Sequence, residues 1–205
     1  MRCLKKREGF PLAKLCLNPL RAQLICGPSI WEVTRMWYVV QVVGGQEHTV
    51  INQIEKLVDD DTYSSCFIPQ YEVKKRYNGV WKYRNEVLFP GYVFVDTKTP
   101  EDFRKELNNV SRMTKLLHDG NEHFIPLADD EKTIISAFIG DDDYVMKMSE
   151  GIIEGDEIII LKGPLMNHTG LVKKIDRHKR LAYLEIWMCG RRVTAKAGLE
   201  IVRKH

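Results

Sequence analysis

Gly155-Asp156-Glu157-Ile158-Ile159-Ile160-Leu161-Lys162-Gly163-Pro164-Leu165-Met166-Asn167-His168-Thr169-Gly170 is the stretch on which the fold of the C-terminal part turns. Gly155-Asp156 reads as a turn, because glycine supplies positive φ without steric cost and aspartate bonds its own backbone. Asp156 to Leu161 is a short β-branched strand, and Gly163-Pro164 ends it. A second strand starts at Gly170 and runs through Leu171-Val172-Lys173-Lys174-Ile175-Asp176. A strand-turn-strand opening followed by a basic hairpin belongs to nucleic-acid or ribosome-associated modules more than to enzymes.

Downstream, Leu181 to Met188 alternates. Ala182, Leu184, Ile186 and Met188 face one way, the expected barrel core, and Leu181, Tyr183, Glu185 and Trp187 face the other. Cys189-Gly190 turns the chain, Arg191 to Ala195 returns, and Leu199 to Val202 closes. Five short strands make a small barrel over residues 151–205. So small a core is marginal by area scaling, which makes a bound partner a source of extra stability.

Upstream, β-branched and aromatic residues from Trp37 to Val43 predict a strand ended by Gly44-Gly45. Val50, Ile54, Leu57 and Val58 form one apolar stripe, a helix over about Gln46 to Val58. Cys66 to Val73 reads as a strand, Asn78-Gly79 as a hairpin turn, and Val80 to Val95 as the return strand. Thr99 and Pro100 open a helix through Leu107. A strand near Met113 to Leu117 and a helix from Asp129 to Ile139 complete a β-α-β-β-α-β order, an α+β, ferredoxin-like split βαβ arrangement with an antiparallel sheet, over residues 36–140. The polar residues 141–150 read as a linker.

Two motifs carry a resemblance. Gly155-Asp156, Gly163-Pro164 and Gly170-Leu171-Val172 are similar to the KOW motif, and Met36-Trp37-Tyr38-Val39-Val40-Gln41 with Phe89-Pro90-Gly91-Tyr92-Val93-Phe94-Val95 resembles the first and third strands of the NGN domain. Together, in this order, they resemble the NusG family of transcription elongation factors, from residue 36 onward. The resemblance implies an NGN domain binding bacterial RNA polymerase through Trp37, Tyr38, Phe89, Pro90, Gly91 and Tyr92, and a KOW domain with an SH3-like barrel. Strand aromatics that only fill the sheet's core are the alternative for those six positions. General members carry a Phe directly after the Gly-Pro for contacts to a ribosomal protein or Rho, whereas this chain has Leu165 there, and His168 replaces another aromatic. With Lys174 to Arg180, those departures resemble the LoaP-type specialised antiterminators, which recognise a leader RNA hairpin. The implied function is processive transcription antitermination and elongation of particular operons. The alternatives are a general elongation factor coupled to ribosome or Rho, and a ribosome-associated RNA-binding protein.

Charge patterning adds its own argument. The chain of 205 residues has a net charge of +3, but residues 1–35 carry +5, residues 36–150 carry −7 and residues 151–205 carry +5. An acidic body with a basic last domain suggests that the latter meets an anion. Lys173, Lys174, Arg177, His178, Lys179, Arg180, Arg191 and Arg192 are expected on one end of the barrel, binding nascent RNA phosphates, with Tyr183 and Trp187 stacking on unpaired bases. A solvated hairpin is the competing reading. Lys74, Lys75, Arg76, Trp81, Lys82 and Arg84 form a second basic, aromatic hairpin, either a contact to non-template DNA or a charged edge that blocks aggregation.

Catalysis finds no support. His118 and His123 lack a third ligand for a metal, Asp141-Asp142-Asp143 lacks the glycine and distal glutamate of a calcium loop, and no phosphate-cradling glycine motif occurs. No metal or cofactor is expected. Five irregularly spaced cysteines point to a reducing cytoplasm and to small buried residues, and no apolar run spans a membrane. A monomer is expected. Residues 1–35 read as a disordered arm or a start-site artefact, with Met36 as the natural initiator.

Overall fold

A break at Pro69 and another at Phe89-Pro90-Gly91 organise the N-terminal part. In the computed structural model, which describes residues 36–110, 115–116, 124–140, 143–154 and 157–202, the chain starts with β1 (Met36–Gln41) and α1 (Glu47–Leu57). Next come β2 (Ser65–Phe67) and β3 (Gln70–Tyr77), separated at Pro69, then β4 (Val80–Val87) and β5 (Tyr92–Thr97). The two long strands expected over 66–73 and 80–95 are therefore each divided. Pro69 has no amide hydrogen to continue a ladder, and its carbonyl accepts from Leu88 N at 2.8 Å instead. Gly91, at φ +86°, turns the second break.

The consequence is two sheets. One has the order β2-β5-β1-β6, where β6 is Lys115–Leu116, and the other the order β4-β3-β7, where β7 is Val145–Met146. Antiparallel pairing of β1 with β5 sets Tyr38 opposite Val95 and Val40 opposite Val93. Those four side chains share a face buried under Val50 and Ile54 of α1 and Phe103 and Leu107 of α2 (Pro100–Leu107). The other face carries Val39, Phe67, Phe89 and Phe94, packed against Ile135 and Phe138 of α3 (Asp129–Phe138). All three helices lie within a residue or two of their expected spans.

The C-terminal part is a curled five-stranded half-barrel of order β10-β11-β12-β8-β9. It comprises β8 (Ser149–Glu154), β9 (Glu157–Lys162), β10 (Val172–Asp176), β11 (Leu181–Met188) and β12 (Arg191–Ile201). The alternation expected in β11 holds: Ala182, Leu184, Ile186 and Met188 are buried, while Trp187 is exposed. Two expectations are corrected. The segment expected as a linker holds β7, paired in parallel with β3, and the first residues of β8, paired in parallel with β12. The two short strands expected over 191–202 are one strand, β12. Its first residues pair with β11 and its last three with β8. Gly155-Asp156, residues 1–35, His118, His123, Asp141 and Asp142 lie outside the described residues.

The two parts meet through one continuous apolar cluster that includes Phe138, Leu165, Leu181 and Leu199. One close approach is at Gly198, where a Cβ would stand 2.2 Å from the Glu72 carbonyl oxygen and 2.5 Å from Met148 Cγ. A backbone carbonyl cannot rotate away as a side chain can, so no larger residue fits without moving β12 off β3. Gly198→Ala is expected to lower stability by about 1–3 kcal/mol through overpacking, read as a fall in the denaturant midpoint with the slope unchanged.

Candidate nucleic-acid and protein interface

The Phe89-Pro90-Gly91-Tyr92 corner is held by a residue that sequence reading passed over. Glu47, only 2% exposed at the start of α1, accepts a hydrogen bond from Gly91 N at 2.7 Å. Burial pushes its carboxyl up, but amide hydrogen bonds from Gly91, Glu47 itself and Gly45 prevail and hold it below the usual carboxylate range. Gly91 O in turn accepts from Val42 N at 2.8 Å, and a Cβ on Gly91 would lie 3.2 Å from Val42 O. The signal was present: an acid in the first helical turn, directly after Gly44-Gly45, complements the helix dipole. Its reach to residue 91 is a tertiary contact that local pattern does not carry.

The six positions around this corner do not share one surface. Pro90 is exposed, Tyr92 and Trp37 are half-buried, and Gly91 and Phe89 are buried. Trp37 packs edge-on to Phe67, with centroids 5.1 Å apart, with Lys132 5.3 Å above its ring. It lines a cleft of about 280 Å³ with Ser65, Ser136 and Tyr144. Tyr38 lies on the opposite face of the sheet beneath the helices, since adjacent strand residues alternate, and burial raises its hydroxyl pKa.

On the half-barrel, the expected clustering of all the cations on one end is corrected. The register Leu181 to Gly198 and Met188 to Arg191 puts the 177–180 turn at one end of the β11–β12 hairpin and Arg191 at the other. Eight residues of strand separate them, roughly 20–25 Å. Lys174, Arg177, His178, Lys179 and Arg180 form the first group. Lys173 and Arg192 meet lower down at Glu185, at 3.9 and 3.7 Å, where Arg192 also lies over the exposed Trp187 ring at 5.4 Å. Lys174 stands 6.0 Å from the Tyr183 ring. Lys179 pairs with Asp176 at 3.6 Å, whereas Arg177 makes no ion pair among the described residues.

The two basic segments, read separately in the sequence, come together. Arg180 stacks its guanidinium 3.8 Å from the Trp81 ring centroid. Glu200 receives both Arg180, at 2.7 Å, and Lys74 of the hairpin, at 3.1 Å. Between hairpin and half-barrel lies a cleft of about 360 Å³. Its one carboxylate, Glu86, accepts from Lys75 and, at 2.8 Å, from the Tyr71 hydroxyl. Burial raises the Glu86 carboxyl, and these two hydrogen bonds outweigh it, leaving a net lowering. Lys82 and Arg84 of the hairpin are exposed and do not line the cleft.

Leu165, at the position after Gly163-Pro164, is fully buried, and its amide donates to Ser149 Oγ at 3.2 Å. His168 meets the Phe138 ring edge-on at 5.0 Å, and Cys189 N donates to Glu131 Oε2 at 3.2 Å, so the β9–β10 and β11–β12 connections of the half-barrel rest on α3. The Cys66 and Cys189 thiols are pushed up to about 12, chiefly by burial. No group of three or more potential metal ligands occurs among the described residues. No helix among them is long and apolar enough to cross a membrane.

Residues 35–136, a range that holds β1 to β6, α1, α2 and most of α3, match the family model described as NusG, transcription termination factor nusG. The chain belongs to the NusG family. Curated relatives named transcription termination/antitermination protein NusG are 21% identical in Borreliella burgdorferi, covering 84% of this chain and 100% of that protein. The Bacillus subtilis relative is 27% identical, with 76% and 90% covered. The solved structure titled "Domain interaction in Thermotoga maritima NusG" is 21% identical, covers 79% of this chain and 92% of that one, and has a TM-score of 0.47. The named relatives are transcription termination/antitermination proteins. In this NusG-family chain, Glu47→Gln keeps the size of the side chain and removes its charge. It is expected to cost about 1–3 kcal/mol. Because the folded carboxyl is depressed, Glu47 adds stability above the ordinary carboxylate range that is lost as pH falls through its folded value. Chemical denaturation of both proteins between pH 7 and pH 3 should show their difference shrinking with acid.

Proposed function

We propose that this protein is a cytoplasmic, monomeric transcription antitermination factor. It binds bacterial RNA polymerase through residues 36–140 and promotes elongation through terminators of particular operons, with residues 151–205 binding leader RNA. The observation that carries this reading is the family match over residues 35–136 joined to a separate basic half-barrel. Within the first part, exposed Pro90 and half-buried Tyr92 and Trp37 are the side chains with surface to offer polymerase, held in place by Glu47 beneath. Binding is to one state of the polymerase, so the effect on termination is a population shift rather than chemistry.

Leu165 favours RNA over ribosome or Rho as the target of the half-barrel. At the position where general family members are expected to offer an aromatic, this chain has an aliphatic side chain with no exposed surface. The cations of the 177–180 turn and the exposed Trp187 supply charge and stacking surface for RNA instead.

Affinity purification of the intact protein tests both halves. Polymerase subunits should co-purify with wild type and be reduced at least severalfold with Tyr92→Ala, whose thermal midpoint should stay within a few degrees of wild type. Recovery of ribosomal subunits without polymerase would replace the transcription reading with a ribosome-associated one. Equal, weak binding of a structured leader RNA and its scrambled control would move the assignment to a general elongation factor.

A further inference from the structure

In sequence, the β3–β4 hairpin and the basic turn of the half-barrel are two separate basic, aromatic segments; in the fold they face each other across one cleft. We infer that the cleft between them is one composite site for an unpaired RNA segment, with phosphate-binding cations and base-stacking rings supplied by both parts of the chain. This rests on the RNA-binding reading above and deepens it.

Charge is the first support. Lys74, Lys75 and Arg76 enter the cleft from the hairpin and Lys179 and Lys196 from the half-barrel. Glu86 is the one carboxylate in its lining, and Glu200 and Asp176 beside it pair with Lys74 and Lys179, which leaves Arg76 and Lys196 without an ion pair among the described residues. Glu86 is already engaged by Lys75 and Tyr71, so it offers little to a cationic ligand. Within residues 36–150, which carry −7, the run Lys74-Lys75-Arg76 is a local exception, and it faces the basic residues 151–205, so the two together focus an anion.

Aromatic surface is the second support. Trp81 from the hairpin is 41% exposed, and the stacked Arg180 guanidinium fixes its orientation. Tyr183, half-buried, and His178 line the opposite side. Flat rings between cations suit bases that are free to stack, not an A-form duplex, whose bases already stack on one another. A cleft of about 360 Å³ admits a base with its phosphate and is too small for a helix of RNA.

Topology is the third. Lys74 and Arg180 converge on Glu200, and β12 lies on β3 at Gly198, so the walls are held at a set separation when the two parts are docked. A ligand gripping both walls favours the docked arrangement by mass action.

The test uses the full chain and a fluorescent oligo-uridylate of about twelve nucleotides, within the footprint range of single-strand-binding modules, titrated across salt. Arg76 is the informative hairpin position, because its hydrogen bond runs only to Gly79 O, at 3.1 Å, within its own turn. Arg76→Ala therefore removes charge without disturbing docking. It should weaken binding severalfold and reduce the salt slope by about one. Lys196→Ala should do the same from the other wall, and Trp81→Ala should cost about five- to a hundredfold. Bound RNA should raise the thermal midpoint of wild type and raise it less in Arg76→Ala. If Arg177→Ala weakens binding and Arg76→Ala does not, the composite cleft is overturned while RNA binding by the half-barrel stands. If wild type does not bind oligo-uridylate, the composite cleft is overturned; if it binds neither oligo-uridylate nor the structured leader RNA, the RNA reading itself fails. Tighter binding of oligo-thymidylate than of oligo-uridylate would overturn the assignment to RNA in favour of single-stranded DNA.

Discussion

The close approach of β12 to β3 at Gly198 is the constraint from which the rest of this arrangement follows. Without a side chain there, β12 comes within a Cβ's width of the Glu72 carbonyl, and Glu72 Oε1 separately accepts from Met148 N, just before β8, at 3.4 Å. Once β12 is so placed, its next turns decide what meets what. Glu200, two residues on, reaches both Lys74 and Arg180. β11, hydrogen-bonded to β12, presents Leu181 to the shared apolar cluster. The ion pairs at the rim are partly exposed and individually worth at most about 1 kcal/mol. The buried cluster of Phe138, Leu165, Leu181 and Leu199 carries most of the docking energy, and the ion pairs fix its register.

A second, independent clamp serves the other end of the molecule. Glu47 is a buried carboxylate satisfied by backbone amides, and it ties the start of α1 to the turn between β4 and β5. This explains how an exposed Pro90 can sit beside fully buried Phe89 and Phe94. The turn is rigid because its backbone is bonded from beneath, leaving the outward side chains to differ without unfolding the sheet. A surface whose support lies entirely below it suits recognition by a large partner.

Much of this was legible in sequence. The helical stripe of Val50 and Ile54, the Thr99-Pro100 helix start and the alternation of Ala182, Leu184, Ile186 and Met188 are local signals, and each element appears where its period placed it. What failed to show were features decided by distant residues. β8 was hidden among polar neighbours: it is held by antiparallel pairing with β9 over Glu150–Glu154 and, at its start, by parallel pairing of Ser149 with Leu199, which no local pattern shows. Pro69 and Gly91 were read through as parts of continuous strands, because the apolar runs around them concealed that each break moves the chain into another sheet. For the site, the basic runs were legible as charge, but their geometry was not. A turn at each end of an eight-residue strand cannot share one surface, so Arg191 departs from the group at 177–180, while Lys74 and Arg76, remote in sequence, join it.

The pairing of these cations bears on how charge is divided between folding and recognition. Arg180 and Lys74 are held by Glu200, and Lys173 and Arg192 share Glu185, so these four are partly neutralised within the protein. Arg177, Arg76 and Lys196 make no ion pair among the described residues. A phosphate approaching the second group gains attraction without first breaking an internal pair. One approaching the first must displace a carboxylate or share its cation. Salt screens both kinds of contact, but only the unpaired group converts screening directly into lost affinity, because the paired group also loses its internal partner. An anion bound here would therefore draw most on the cations that contribute least to the fold, and these can change with little effect on the docked structure that positions them.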